Sequence, residues 1–315
     1  VLRGVAAMQA LPLVYHARYS APWPRTHRFP MWKFSDLHAF IKRTGLASAA
    51  SWHEPELPDH AWFEAVHDPV YYRSFIEGRL GEEQERRIGF RNEMRKPALI
   101  DRTRLECAGT VLTAQLALEH GLACNLAGGT HHAHRSFGSG FTILNDLAVA
   151  AARIRATTEV RRVAIVDLDV HQGDGTAAIF ADEPDVFTMS MHCGKNFPFR
   201  KQVSDLDVDV EVGTGDIDYL RLLRGALEQV FAFKPDLVLY DAGVDVHADD
   251  ELGHLNLSHA GIWQRDSMVI DRCLSANVPV ACVIGGGYHR DPLTLARRHA
   301  IVHRAAAHAF KRHRL

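Results

Sequence analysis

Long apolar runs are missing from this 315-residue chain. No stretch approaches the ~20 residues that cross a bilayer. The N-terminus also lacks a basic region followed by a long apolar core, so neither a membrane span nor a secretory signal is expected. Cysteines are few and unpatterned: Cys107, Cys124, Cys193, Cys273 and Cys282 show no CxxC spacing. An odd, dispersed set points to reduced thiols and a cytoplasmic setting. Charge of one sign is not in excess either. With 36 Lys+Arg against 38 Asp+Glu, the formal net charge of -2 gives no electrostatic case for nucleic acid or an anionic membrane. No Ser/Gly linker, internal repeat or low-complexity run divides the chain, which favours one domain over residues 1–315. What is present is 47% hydrophobic and 23% charged residues, as a globular protein requires, together with 20 histidines that ask for an explanation.

The chain is organised around VAIVDLDVHQGDG at 163–175. Its apolar, partly β-branched start reads as a buried strand of a parallel sheet. Asp167, Asp169 and His171 then fall at alternate positions, on one face for as long as the strand lasts. Two carboxylates and an imidazole at the end of a buried strand need a partner, and a divalent metal suits Asp and His. One such motif alone is equally the start of a capped helix. Around it, helices are predicted over 32–44, 108–120, 144–156, 219–231, 262–276 and 292–313, and strands over 122–127, 163–168, 186–191, 236–241 and 278–284. Residues 1–60 read as irregular and 60–120 as mostly helical. Alternating strands and helices predict an α/β protein whose mostly parallel sheet is covered on both faces.

Open α/β sheets bind ligands beyond the carboxyl ends of their strands. Four predicted strands end in unusual chemistry: Gly128-Gly129-Thr130-His131-His132, then Asp167, Asp169 and His171, then Asp241 to Asp245, then Gly285-Gly286-Gly287-Tyr288. Asp169, His171 and Asp245 supply three metal ligands and leave a coordination position open, as catalytic sites do. His131 and His132 need partners for their ring nitrogens, and Asp167 and Asp174 can accept from them. Such a histidine is suited to general base and then general acid work. Tyr288, after three glycines, can donate to a developing oxyanion.

These segments resemble the zinc-dependent histone deacetylase family, with its arginase-like α/β fold. The resemblance rests on AGGTHHAH (127–134), GSGFTILND (138–146), VDLDVHQGDG (166–175), DAGVDVH (241–247) and GGGY (285–288). Gln172, where many members have a second histidine, together with HRFPM (27–31) and KNFPFRKQ (195–202), is most similar to class IV and its bacterial relatives. The resemblance implies zinc on Asp169, His171 and Asp245, and His132 as general base and acid oriented by Asp174. It makes His131, paired with Asp167, an electrostatic stabiliser, and Tyr288 the group polarising the acyl carbonyl. Gly140, Phe141 and Phe197 would line a lysine tunnel with Leu252 at its rim, and Arg28 would lie by an internal channel for the released acid. A potassium site would use Asp167 and Ser190 with backbone carbonyls of Asp169, His171 and Met191.

The substrate expected from this is an acylated lysine, acetyl or longer, on a peptide or protein, with small acylated amines such as acetylpolyamines as the alternative. The family's acidic loop residue that grips the substrate backbone has no aligned counterpart, Glu93 being the candidate for it. An arginase-like ureohydrolase with two manganese ions and a binding module without catalysis are the competing readings; GGGY has no use in the former. Cys193 reads as a small buried thiol. His299 and His303, one turn apart with Arg297, Arg298 and Arg304 around them, read as a solvated basic face of the last helix.

Overall fold

A computed structural model describes residues 10–46 and 51–315 of the chain. Its centre is a single eight-stranded sheet: β1 (Leu13–Val14), β2 (Trp52–His53), β3 (Leu122–Asn125), β4 (Val163–Asp167), β5 (Val186–Cys193), β6 (Leu206–Val210), β7 (Leu237–Asp241) and β8 (Val280–Val283). The spatial order is β2-β1-β3-β8-β7-β4-β5-β6. Every pairing is parallel, so the mostly parallel expectation becomes an all-parallel sheet. The central strands β3, β4, β7 and β8 are buried along their whole length, which is why they read in sequence as unbroken apolar runs.

Predicted elements shift only at their ends. The predicted helix over 144–156 runs Asp146–Thr157, because Asn145 is its N-cap and accepts from the Ala148 N–H at 2.9 Å. The last helix, Pro292–His313, opens with Pro at its first turn behind the Asp291 cap. Three strands escaped the sequence reading. β1 and β2 have two residues each and lie in the stretch expected to be irregular. β6 is an edge strand whose exposure alternates along LDVDV, too short and too acidic to stand out.

The sheet's carboxyl edge is held from behind by one buried cation. Arg265, on helix His259–Ser275, is fully buried. Its guanidinium donates to the carbonyls of Leu168 (3.2 Å), Gly243 (2.6 Å) and Ala242 (3.2 Å), just past the ends of β4 and β7. Asp266 pairs with it at 2.8 Å, and the Tyr240 hydroxyl donates to Asp266 at 2.6 Å. The charge is therefore compensated where it lies, as a buried cation requires. No helix among the described residues is long and apolar enough to cross a membrane.

The solvated basic face expected on the last helix is a correction. Arg297 and Arg304 are exposed, but His299 and His303 are fully buried and Arg298 is 1% exposed. Arg298 donates to the Asp249 carboxylate at 2.6 Å and to the Asp249 carbonyl at 2.8 Å. His303 Nδ1 donates to the His299 carbonyl at 3.0 Å. Spacing by one turn fixes which residues share a face but not which way that face points; here it packs inward, with the helix against Lys33–Arg43.

Candidate active site

The loops after β3, β4, β7 and β8 meet at one edge of the sheet, and the predicted residues meet there. Register places Asp167 beside Ser190 of β5 and Asp241 of β7. Just past the strand ends, ligand atoms of Asp169, His171 and Asp245 all lie within 4.8 Å of one another, and all three residues are buried. His171 Nδ1 is 3.0 Å from Asp169 and 3.2 Å from Asp245. The carboxylates are aimed by backbone donors: the Gly286 N–H to Asp169 at 2.7 Å and the Val170 N–H to Asp245 at 2.9 Å. Gly286 is a close approach rather than a hinge, since a Cβ there would meet Asp245 Oδ2 at 2.1 Å and Asp169 Oδ2 at 2.5 Å.

The donor set fits a divalent cation. Asp245 Oδ2 is buried with only the His171 ring, 3.2 Å away, beside it. Burial and the neighbouring Asp169 charge push the Asp245 carboxyl up to about 7. Burial disfavours charge on His171, yet its hydrogen bonds to Asp169 and Asp245 pull it up to about 10. The cluster is short of positive charge, and an Asp–His–Asp set matches zinc in ligand type.

Two histidine–carboxylate pairs stand beside it. His131 Nδ1 lies 2.6 Å from Asp167 and His132 Nδ1 2.6 Å from Asp174, with the two rings 4.1 Å apart. Their electrostatics diverge. Burial opposes protonation of His131, but Asp167, Asp169 and Asp241 outweigh it and hold the ring well above its ordinary value. Burial, reinforced by neighbouring His131, brings His132 down to about 4 in spite of Asp174. The two rings are thus pushed in opposite directions, as expected where acid and base roles are divided.

Above the pairs opens an outer cavity of about 350 Å³, lined by Gly140, Phe141, Phe197, Leu252 and Tyr288 over His132 and His171. Phe197 stands edge-on to His132 at 4.9 Å, and Phe141 lies 6.1 Å from Tyr288. Both Gly140 (φ 52) and Phe141 (φ 66) adopt left-handed backbone. At Gly140 a side chain is excluded as well, since a Cβ would meet the His132 ring at 2.5 Å. Below lies an inner cavity of about 30 Å³, reached past His132, His171 and Tyr288 and lined further in by Phe29, Lys33, Arg102 and Glu106.

Several expectations are placed differently. Arg28 is exposed and lines the outer cavity, not the inner one; the inner arginine is Arg102, paired with Glu106 at 2.7 Å. Glu93 pairs with Lys96 at 2.6 Å and does not line the mouth. Cys193 is buried. Other participants went unnoticed in the sequence. His134 donates to the second oxygen of Asp174 at 3.1 Å, and its place in AGGTHHAH was the available signal. Asp146 shapes the Gly128–Thr130 turn, accepting from Gly129 N–H (3.1 Å) and Thr130 N–H (2.7 Å). Lys33 is buried with its ammonium 2.8 Å from the Gly285 carbonyl, and burial lowers it to about 8. Asp241 lies 3.9 Å from His131 with neither oxygen partnered, and burial next to Asp167 raises its carboxyl far above the usual range. His131, Asp167 and Asp241 also fall within 4.8 Å, but the short His131–Asp167 bond already occupies that nitrogen.

The all-parallel α/β sheet, with an Asp–His–Asp cluster and two His–Asp pairs gathered past its strand ends, has an arginase-like arrangement. The histone deacetylase domain, as a family profile, matches residues 27–304. An uncharacterized protein of Picosynechococcus sp. is 51% identical over 296 residues, covering 94% of this chain and 98% of that one. Histone deacetylase 2 of Arabidopsis thaliana is 36% identical over 192 residues, covering 60% of this chain and 50% of its own, so the chain's match spans about half of that plant protein. The fold is that of an HDAC homolog from Aquifex aeolicus, at a TM-score of 0.80 and 24% identity, covering 94% of this chain and 84% of that one. The chain belongs to the histone deacetylase family, a family of zinc-dependent hydrolases.

Proposed function

We propose that this protein removes acyl groups from the ε-amine of lysine, with short acyl groups favoured. The observation that carries the reading is the shared frontage of His132, His171 and Tyr288 on both cavities. Asp169, His171 and Asp245 would hold zinc, which supplies Lewis-acid polarisation of the acyl carbonyl and of the attacking water. Every other part belongs to the chain. Phe141, Phe197 and Gly140 sheathe the lysine methylenes and exclude solvent. His132, kept neutral and oriented by Asp174, takes a proton from water at Nε2 and returns it to the leaving amine. His131, held cationic by Asp167, offsets the negative charge that develops on the acyl oxygen. Burial and the charges of Asp245 and Asp169 hold the Tyr288 hydroxyl well above its ordinary value, so it stays a donor to that oxygen.

The acyl chain would extend into the inner cavity. A volume of about 30 Å³, bounded by Lys33, Arg102 and Glu106, suits acetyl better than a fatty chain. A potassium ion would fall beside Asp167 and Ser190, which are register partners, with Met191 next along β5. The test is acetate release from an acetyl-lysine peptide by protein carrying one zinc per chain by elemental analysis. Two manganese ions per chain with urea release from a guanidinium substrate would support the ureohydrolase reading instead. Failure of zinc-loaded protein on every acyl-lysine peptide tried, acetyl through long-chain, overturns the proposal.

A further inference from the structure

We infer that the mouth of the outer cavity selects acyl-lysines set among acidic residues of a protein segment and disfavours cationic amines. This rests on the lysine reading above and adds the charge of the substrate to it. Three arginines, Arg28, Arg86 and Arg87, line the outer cavity, and among the described residues no carboxylate does. All three are exposed. Arg87 is partly offset by Glu83 at 3.8 Å. The adjoining hollow, about 580 Å³, shares Arg28 and adds Arg25 and Arg290; Glu251, its one acid among the described residues, lies 3.7 Å from Arg290.

Composition does not explain this rim, because the chain as a whole carries a net charge of -2. Two nearby acids have other partners, while Glu82 and Glu85 share a separate hollow with Arg86. Glu93 is tied to Lys96. Asp250 spends both oxygens on backbone N–H groups, of Leu252 (2.9 Å) and Gly253 (3.0 Å) with one and of Tyr288 (2.8 Å) with the other. A guanidinium fork binds a carboxylate in two-point fashion and repels an ammonium. An acetylpolyamine would bring ammonium groups to this rim along with its amide, and a lysine flanked by basic residues would do the same. A segment with Asp or Glu beside the acyl-lysine would instead find exposed guanidinium donors at the cavity. Two such exposed contacts amount to a preference on the order of tenfold, and salt should screen it.

The zinc-loaded protein is given equal-length acetyl-lysine peptides with Glu, Ala or Arg on both flanks, beside an acetylated polyamine. Values of kcat/KM are compared at low and at raised salt. The expected order is Glu, then Ala, then Arg, with the polyamine last, the Glu-to-Arg ratio on the order of tenfold at low salt and smaller at high salt. Combining Arg28→Gln with Arg86→Gln should bring that ratio near one; the wild-type ratio and its salt dependence stand as a test even if the double variant does not fold. Equal rates on all three peptides, or faster turnover of the basic peptide or the polyamine, overturn the charge selectivity and leave the deacylase reading in place. No hydrolysis of any of them removes the reading itself, and the selectivity with it.

Discussion

His67 should make this protein lose stability in mild acid, and the reason is geometric. The ring is 1% exposed. Its Nδ1 donates to the His134 carbonyl at 3.0 Å, while Nε2 accepts from the Asn145 N–H at 3.0 Å. Only the neutral ring protonated at Nδ1 satisfies both. A second proton would set N–H against N–H at the residue that caps helix Asp146–Thr157. Burial accordingly lowers His67 from 6.5 to about 4. The folded value lies below the unfolded one, so between these pH values the unfolded chain binds more protons. The contribution is therefore whole above about pH 6.5 and is lost as pH falls towards about 4. The full span corresponds to ~3 kcal/mol, of which ~2 kcal/mol is lost between about pH 7 and pH 5. That is a large share of the ~5–15 kcal/mol that holds a protein folded. His67→Gln keeps an acceptor and a donor but cannot titrate. Urea unfolding of both proteins at the two pH values measures it: the variant should be somewhat weaker at neutral pH, and the gap should close by ~2 kcal/mol at the lower pH. Equal losses in the two proteins would refute the reasoning.

Three other outcomes are expected. Tyr288→Phe should lower kcat on the order of 10²-fold with little change in zinc content, as for removal of an oxyanion donor; full activity would remove Tyr288 from the chemistry. Asp174→Asn should lower kcat by roughly 10²-fold or more, because the carboxylate orients both His132 and His134. A rise in KM with kcat unchanged would show that it acts on binding alone. Gly286→Ala should reduce bound zinc well below one per chain, since the added methyl would press on Asp169 and Asp245. A fully loaded variant by elemental analysis would mean that the loop yields at no cost.

Much of the site could be read from the sequence because it sits where strands stop. Asp169, His171, Asp245 and Tyr288 each follow an apolar run, and a parallel sheet delivers all such ends to one edge. What stayed hidden depends on contacts between distant segments. Lys33 and Arg102 look like ordinary surface cations in their helices, and only packing against the loop at Gly285 and against Glu106 draws them inward. Asp241 lay in a quoted segment but received no role, because its proximity to His131 comes from the β4–β7 register. His299 and His303 show the opposite failure, where neighbouring arginines suggested solvent and the helix turned that face to the core. Arg28 was expected at the inner cavity; its exposure on the outer one leaves that position to Arg102.

Arg265 gives the catalytic edge a memory of its shape. A guanidinium keeps its charge at any pH the fold survives, and this one fastens the chain just beyond β4 and β7 from the side away from solvent. The stretches leading to Asp169 and Asp245 are therefore anchored whether or not an ion lies between them. Stripped with a chelator, the protein should stay folded with its three ligands close together, and added zinc should restore it at the pace of a binding event rather than of refolding.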